Sequence, residues 1–400
     1  MSILGLKKLS PLDFTKAVPQ REEIINKASD SELPSLDTYK ANQIASALHP
    51  EKQFLKVSKI VEHGCDAKTF YLEADKNKGT KALAYFSAGQ YLSISLTVGN
   101  ATITRPYSLS SSPKESLEGY YMLTIKRVKD GLASQFILDN WTVGTEIEAS
   151  EPLGLFTYEP LRDAKTIIGV AGGSGITPFR SLAKAIADGD EDANLILLYG
   201  SKNIEEAIFE EEFLLLEKAC DKFKLVNVLS DEEKAGCENG FITAELINKY
   251  KPDTDYSIFM CGPQAMYNFV DKEIEKLDIR RKFVRHELFG EYFNPSKESD
   301  YPVGVSSEFE ITVSINGEKK TVKAPCDTSI LRTLEANGIK APAHCRSGEC
   351  GWCHSRLIKG EVYTPKSVDG RREADLIYGY IHPCCAFPLS DIEIEINPQK

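Results

Sequence analysis

Cys345-Arg-Ser-Gly-Glu-Cys350-Gly-Trp-Cys353 stands near the end of the 400-residue chain, and a further pair, Cys384-Cys385, follows it. Four residues separate the first two cysteines and two separate the second and third. That is a ligand spacing for a [2Fe–2S] cluster whose fourth thiolate comes from farther along the chain. Such a cluster takes one electron at a time, so the stretch predicts electron transfer. Five of the ten cysteines lie in this last part of the chain. A disulfide scaffold would spread them through a short secreted domain. Zinc, the alternative for a sulfur site, more usually sits between two short Cys-x-x-Cys pairs.

Working outward, Phe309-Glu-Ile-Thr-Val-Ser-Ile alternates, Asn316-Gly317 turns the chain, and Lys320 to Ala324 returns. That pattern predicts a hairpin. A short helix follows over Ser329 to Asn337, stopped by Gly338. The cysteine loop therefore belongs to an α+β module, over 306–400. Asn294 to Ser307 reads as a linker. Before it, over 161–300, strands and helices alternate: Lys165–Ala171, a glycine loop and a helix from Pro178, then Asn194–Tyr199, Phe209–Cys220, Lys224–Leu229, Thr243–Tyr250, Tyr256–Cys261 and Gln264–Leu277. This order predicts a parallel α/β sheet. Over 51–160 the period is two, with strands at Phe54–Val61, Thr69–Ala74, Phe86–Leu96 and Tyr121–Val128. Short strands with glycine turns predict an antiparallel β-barrel. Residues 1–50 form a polar N-terminal extension with one short amphipathic helix over Ser35–Leu48. The chain is thus multidomain, and its apolar fraction of 42% is enough for several cores.

The net charge of −11 and the lack of a long basic run argue against nucleic acid and anionic membrane as partners. No signal-peptide pattern opens the sequence and no apolar run is long enough to span a bilayer. A cytoplasmic location follows as the expectation.

Arg105-Pro-Tyr107-Ser108 closes a barrel strand. Alternation puts Arg105 and Tyr107 on one face. A cation for a phosphate, a ring to lie on an isoalloxazine and a hydroxyl near its N5 suit a flavin. A surface turn with an ordinary tyrosine would look the same. Gly131 and Ser134 precede a helical stretch beginning near Gln135, where donors can face a pyrophosphate or simply cap a helix. Gly172-Gly173-Ser174-Gly175-Ile-Thr177-Pro178 follows a strand and opens a helix, a cradle for a nucleotide phosphate rather than a plain tight turn. It matches neither the G-x-G-x-x-G fingerprint nor a Walker A loop. Cys261-Gly262-Pro263 ends the last foreseen strand of the sheet, where ligands of open α/β folds sit; alone, Cys261 would read as a small buried hydrophobe.

Taken in this order, the motifs resemble the ferredoxin–NADP⁺ reductase superfamily, in the branch ending in a plant-type ferredoxin module. The resemblance covers about residues 53 to 397 and implies a β-grasp fold for the ferredoxin module. It implies that Arg105, Tyr107 and Ser108 hold the flavin, with Gly131 and Ser134 continuing the phosphate site. It implies a pyridine-nucleotide loop at Gly172, Gly173, Gly175, Thr177 and Pro178, and a Cys261-Gly262-Pro263 motif with Cys261 beside the nicotinamide. Glu287-Leu-Phe289 resembles the closing acidic–aromatic motif, with Ser108, Cys261 and Glu287 nearest the chemistry. Cys345, Cys350, Cys353 and Cys384 would hold the cluster. The chain departs from the family's Leu-Ala-Cys by having His382-Pro383-Cys384-Cys385, so Cys385 stays a rival for the fourth ligand. His382 and His344 read as neighbours that tune the cluster or pack beside it.

The resemblance implies FAD, with FMN possible, a [2Fe–2S] cluster, and NAD(P)H as electron donor. A flavin joins a two-electron donor to a one-electron acceptor, which makes the chain an NAD(P)H:acceptor oxidoreductase. Ser201 and Lys202 suit a 2′-phosphate and so lean toward NADPH, although Lys202 is equally an ordinary surface lysine and the choice between NADH and NADPH stays open. From Tyr301 onward 13 acidic and 12 basic side chains nearly cancel, so this module lacks the acidic field that steers a free ferredoxin. A partner protein must still collect the electrons: an oxygenase component, or a hybrid-cluster or other iron–sulfur enzyme. The contrasting reading is a non-enzymatic iron–sulfur carrier or redox sensor.

Overall fold

The computed structural model describes residues 19, 21–27, 35, 38–99, 101–129, 131–288 and 290–396. The chain divides into two compact units, before and after residue 49. In the first, helix α1 (Lys40–Leu48) starts later than the expected Ser35 and buries none of its residues. The second unit carries three sheets.

The first sheet holds β1 (Gln53–His63), β2 (Ala67–Ala74), β3 (Tyr91–Val98), β4 (Ala101–Ser108), β5 (Tyr120–Lys126) and β6 (Glu146–Ala149), all antiparallel in the order β4-β3-β6-β1-β2-β5. A bridge between Leu109 and Leu123 ties the end of β4 to β5 and closes the barrel. Alternate residues Leu55, Val57, Phe70, Leu72, Leu92 and Ile94 fill its interior. The strand expected from Phe86 begins only at Tyr91. Gly89, at φ 99°, turns the chain there, and Phe86 is instead packed edge-on against Tyr121. The short helix α2 (Pro113–Leu117) is fastened by a capping box between Ser112 and Glu115. Helix α3 (Leu132–Asn140) starts just after Gly131, earlier than expected.

The second sheet contains β7 (Thr166–Gly172), β8 (Asn194–Ser201), β9 (Phe223–Leu229), β10 (Glu238–Asn239), β11 (Tyr256–Cys261) and β12 (Val284–Glu287), parallel throughout in the order β10-β9-β8-β7-β11-β12. Helices α4 (Thr177–Asp188), α5 (Glu210–Ala219), α6 (Ala244–Tyr250) and α7 (Gln264–Ile274) connect them. β7 and β11 are buried at every residue, as central parallel strands require. β12 was not foreseen. It is an edge strand of half-buried Val284, Arg285 and His286 and buried Glu287, so it lacks the apolar run that marks its neighbours.

The third sheet joins β13 (Glu308–Ile315), β14 (Glu318–Pro325), β15 (Ser355–Lys359), β17 (Tyr380–Ile381) and β19 (Ile392–Ile396), in the order β14-β13-β19-β15-β17. β16 (Val362–Tyr363) and β18 (Phe387–Pro388) form a separate pair. The predicted hairpin is present, with Asn316 and Gly317 both at positive φ in its turn. Helix α8 (Ile330–Ala336) is capped by Ser329, whose hydroxyl accepts from the Arg332 N–H. A final short helix, α9 (Glu373–Ile377), lies before β17. Among the described residues no helix is long and apolar enough to cross a membrane.

Candidate redox site

The loop between α8 and β15 carries three of the four expected cluster thiols, and the turn after β17 carries the fourth. Cys345, Cys353 and Cys384 are buried, while Cys350 lies at the surface. Cys384 Sγ stands 3.4 Å from Cys353 Sγ. Hydrogen bonds from the Cys350 and Cys384 thiols lower the pKa of Cys345, and the same contacts push Cys350 and Cys384 up. Backbone N–H groups of Ser347 and Cys350 point at Cys345 Sγ, at 3.5 and 3.4 Å, and that of Trp352 points at Cys350 Sγ at 3.4 Å. A loop that aims amides at sulfur suits thiolates, so the donor set fits an iron–sulfur cluster. Among the described residues no three His, Cys, Asp or Glu side chains close on a single ion-sized point. Cys385 Sγ is directed to the His382 carbonyl at 3.5 Å and also contacts the Cys384 thiol. His382 Nδ1 lies 2.7 Å from the Gly348 carbonyl oxygen, so that ring braces the loop. His344 packs on Trp352 with ring centres 4.3 Å apart, and burial lowers its pKa to about 4.

The glycine loop runs off the carboxyl end of β7. A Cβ on Gly175 would stand 2.1 Å from the Cys261 carbonyl oxygen, and one on Gly172 would meet Met266 Sδ at 2.7 Å. These two glycines therefore let the loop lie against Cys261-Gly262-Pro263. Gly173 is different: nothing lies within 4 Å of its Cβ position. It is the open part of the loop and the place where a phosphate can approach, beside the start of α4. Thr177 does not face outward; its hydroxyl donates to the Ser174 carbonyl at 3.1 Å. The buried Tyr199 hydroxyl donates to the Gly173 carbonyl at 3.1 Å and accepts from the Ile208 N–H at 3.0 Å, which sets the loop's height.

Cys261 and Glu287 are register partners at the carboxyl ends of neighbouring parallel strands. Both are buried. Burial, then Glu287, pushes the Cys261 thiol up, with a bond to Tyr267 opposing. Burial, then Glu349 and Cys345, pushes the Glu287 carboxyl well above the usual carboxylate range. Tyr267 sits behind both: its hydroxyl donates to the Glu287 carbonyl at 2.5 Å and accepts from the Gly262 N–H at 3.1 Å. Sequence reading missed Tyr267, because one tyrosine on an amphipathic helix carries no signal until β12 is known to lie beside β11.

The barrel contributes β4. Arg105 and Tyr107 share a partly buried face, while Ser108 is buried. Burial, then Arg346, lowers the Arg105 pKa, and Glu291 at 3.6 Å only partly opposes this. A buried guanidinium held against a second cation is short of negative charge, so its surroundings fit an anion such as a flavin phosphate. The Ser134 hydroxyl is engaged within its own turn, accepting from Val128 N–H at 3.1 Å and donating to the Gly131 carbonyl at 3.3 Å. No contact joins Gly131 or Ser134 to Arg105 among the described groups. Phe289 lies outside the described residues.

The three modules meet at one place. Tyr91 of β3 has its pKa raised by burial, then by Cys345, Cys350, Glu287 and Glu349. Glu349, between Cys345 and Cys350, keeps much of its surface exposed, yet burial of its carboxyl end and Cys345 push it up to about 7, with His286 opposing. Thr104 donates to the Ala343 carbonyl at 2.9 Å, linking β4 to the start of the cysteine loop.

Comparisons with known proteins agree with this division. An oxidoreductase FAD-binding domain model matches residues 55–158, an oxidoreductase NAD-binding domain model 170–272, and a 2Fe-2S iron-sulfur cluster binding domain model 313–389. The chain is 26% identical over 307 residues to the NADH oxidoreductase HCR of Escherichia coli (strain K12), covering 77% of this chain and 88% of that protein. It is 29% identical over 346 residues to the ferredoxin reductase component of 3-ketosteroid-9-alpha-monooxygenase from Rhodococcus rhodochrous, covering 84% and 94%. Among solved structures, phthalate dioxygenase reductase superposes with a TM-score of 0.60 at 25% identity over 86% of this chain and 98% of that one; it is described as a modular structure for electron transfer from pyridine nucleotides to [2Fe-2S]. The chain belongs to the ferredoxin–NADP⁺ reductase superfamily, as an NAD(P)H-dependent oxidoreductase with FAD-binding, NAD-binding and C-terminal [2Fe–2S] ferredoxin domains.

Proposed function

We propose that the chain is the reductase component of a two-protein system, taking electrons in pairs from NADH at the Cys261–Glu287 crevice and releasing them singly through the thiols of Cys345, Cys350, Cys353 and Cys384. One observation carries the reading: the buried Glu287 carboxyl, paired in register with Cys261, also feels Cys345 and Glu349 of the cluster loop. Donor site and exit site thus share one small volume. Bound FAD supplies the two-electron to one-electron conversion. The protein's own part is placement. Arg105 would hold the phosphate, Tyr107 would offer its ring and Ser108 a hydrogen bond at N5. Cys261 and Glu287 would position the nicotinamide, and Gly173 would leave room for the pyrophosphate. Domain limits near 51–160, 161–300 and 306–400 are part of this reading.

NADH is favoured over NADPH by the loop after β8. The Asp231 N–H donates to the Lys202 carbonyl at 2.9 Å, and Glu232 accepts from the Ile204 N–H at 2.8 Å. These contacts bring two carboxylate-bearing residues beside Ser201 and Lys202, a setting that suits a ribose diol and repels a 2′-phosphate. The partner is an oxygenase component, as several relatives are named for such systems, or another iron–sulfur enzyme. The cysteines, all free among the described residues, fit a reducing cytoplasm. Anaerobic titration with NADH and then NADPH, followed by absorbance and EPR, tests the core of this reading. The expected result is bleaching of a yellow chromophore and a reduced-cluster signal at lower NADH than NADPH. A colourless protein, or one carrying zinc, would sink it.

A further inference from the structure

The cluster loop holds an arginine that the redox site does not use. Arg346 follows Cys345 directly, is fully buried and adopts φ 61°, a left-handed conformation that arginine rarely takes. Its fork grips two carboxylates. Nη1 and Nη2 donate to the two oxygens of Glu335, both at 2.7 Å, and Nε donates to Glu291 at 2.8 Å, with Nη2 also on Glu291. Glu335 lies on α8 of the ferredoxin module. Glu291 lies beyond β12, in the segment leaving the nucleotide sheet. Its carboxylate also faces Arg105 of β4 and Arg332 of α8, each at 3.6 Å. Three guanidiniums thus surround two carboxylates, leaving one positive charge in excess.

We propose that Glu291 is the keystone of an interdomain latch, holding the cluster loop through Arg346 and the barrel through Arg105, so that the flavin phosphate site and the cluster are positioned as one body. The inference rests on the assignment of Arg105 to the flavin phosphate. Glu291 is shared by both sides, and the positive excess is what an incoming phosphate would offset. Its removal leaves buried Arg346 and half-buried Arg105, with exposed Arg332 beside them, against Glu335 alone, and repulsion then separates Arg346 from Arg105. Arg105, freed of a competing carboxylate, keeps its anion at least as firmly. Loss of the latch and loss of the flavin are therefore opposite in sign.

The test is Glu291→Gln in the full-length holoenzyme. NADH carries two electrons and cytochrome c accepts one, so two cytochromes are reduced per NADH. Bleaching of the flavin by NADH is expected to stay within about twofold of wild type, with flavin content unchanged or higher. Cytochrome c reduction through the cluster is expected to fall on the order of tenfold, at unchanged iron content. Trypsin cleavage at Lys297 should accelerate. Glu291→Asp, which keeps the charge, should recover most of the lost rate. Arg346→Lys, which loses the fork, should give the same split as Glu291→Gln. If cytochrome c reduction is unchanged in both Glu291→Gln and Arg346→Lys, or if flavin is lost together with it, the latch is wrong. Arg105→Ala separates the two assignments: full flavin retention there removes the phosphate reading, while the latch is still judged by Glu291→Gln.

Discussion

Gly175→Ala tests whether the glycine loop works by packing or by exposing amides. The added methyl would lie 2.1 Å from the Cys261 carbonyl oxygen, 2.4 Å from its carbon and 2.7 Å from Gly262 Cα. Ordinary contact needs ~3.5 Å, so about 1.4 Å must open between two backbone segments. Neither can yield alone. The loop is pinned by Tyr199 through Gly173, and Cys261-Gly262 is pinned by Tyr267. Overpacking of this kind costs ~1–3 kcal/mol. A displacement near 1 Å at a site that orients reactants lowers rates by ~10²-fold. Stopped-flow bleaching of the flavin at saturating NADH should therefore slow by about two orders of magnitude. Gly173→Ala is the control. Its Cβ would meet nothing within 4 Å, at φ 53°. The left-handed backbone costs ~1–2 kcal/mol, and the methyl enters the space left for phosphate. The half-saturating NADH concentration should rise while the limiting rate changes little. A limiting rate for Gly175→Ala within twofold of wild type would refute the packing argument.

Cys384→Ser should abolish the visible cluster spectrum and most bound iron, whereas Cys385→Ser should keep both; the reverse result would reassign the fourth ligand. Tyr267→Phe leaves the Glu287 carbonyl and the Gly262 N–H without their shared hydroxyl. A cost of ~1–3 kcal/mol in denaturant unfolding is expected, with a slower limiting bleaching rate. Arg180 is buried between Glu115 and Glu212 and donates to the Ser110 carbonyl, joining barrel to nucleotide sheet. Arg180→Leu strands Glu115 and should destabilise by ~3–5 kcal/mol, read by melting temperature and urea midpoint. For Glu291, burial alone would raise the pKa, but Arg346, Arg105 and Arg332 outweigh it and hold the carboxyl below its ordinary value. Its contribution is then full above the ordinary carboxylate range and is lost as pH falls through the folded value. Hydrogen exchange of the segment around Lys297, corrected for the intrinsic pH dependence of amide exchange, should be flat between about pH 6 and pH 9, a range in which the carboxyl is ionised, and should accelerate as pH falls through the folded value.

The motifs were legible because each rests on local chemistry. Cysteine spacing, a glycine run between strand and helix, Asn316-Gly317 between alternating segments and the capped helix at Ser329 are set by neighbours a few residues apart. Their elements fall within a few residues of expectation. Where the reading erred, a distant group was responsible. The chain turns at Gly89 and Phe86 packs against Tyr121, so the strand starts late. β12 exists because β11 offers it an edge, and its own residues say little. Thr177 and Ser134, expected at phosphates, hydrogen-bond within their own turns, and their place at a phosphate stays a proposal.

Which residue types are present, and in what order, already specified three modules and the electron-transfer chemistry they carry. Periodicity and ligand spacing are properties of short segments, and they survive without the fold. Which residues act together was decided only by the tertiary structure. Strand register set Cys261 beside Glu287, docking of the modules brought Glu349 and Arg346 to the barrel, and the fold chose which cysteine of the pair faces Cys353. Those relations depend on packing and on charges hundreds of residues apart in the chain, where burial makes each uncompensated charge costly and therefore paired.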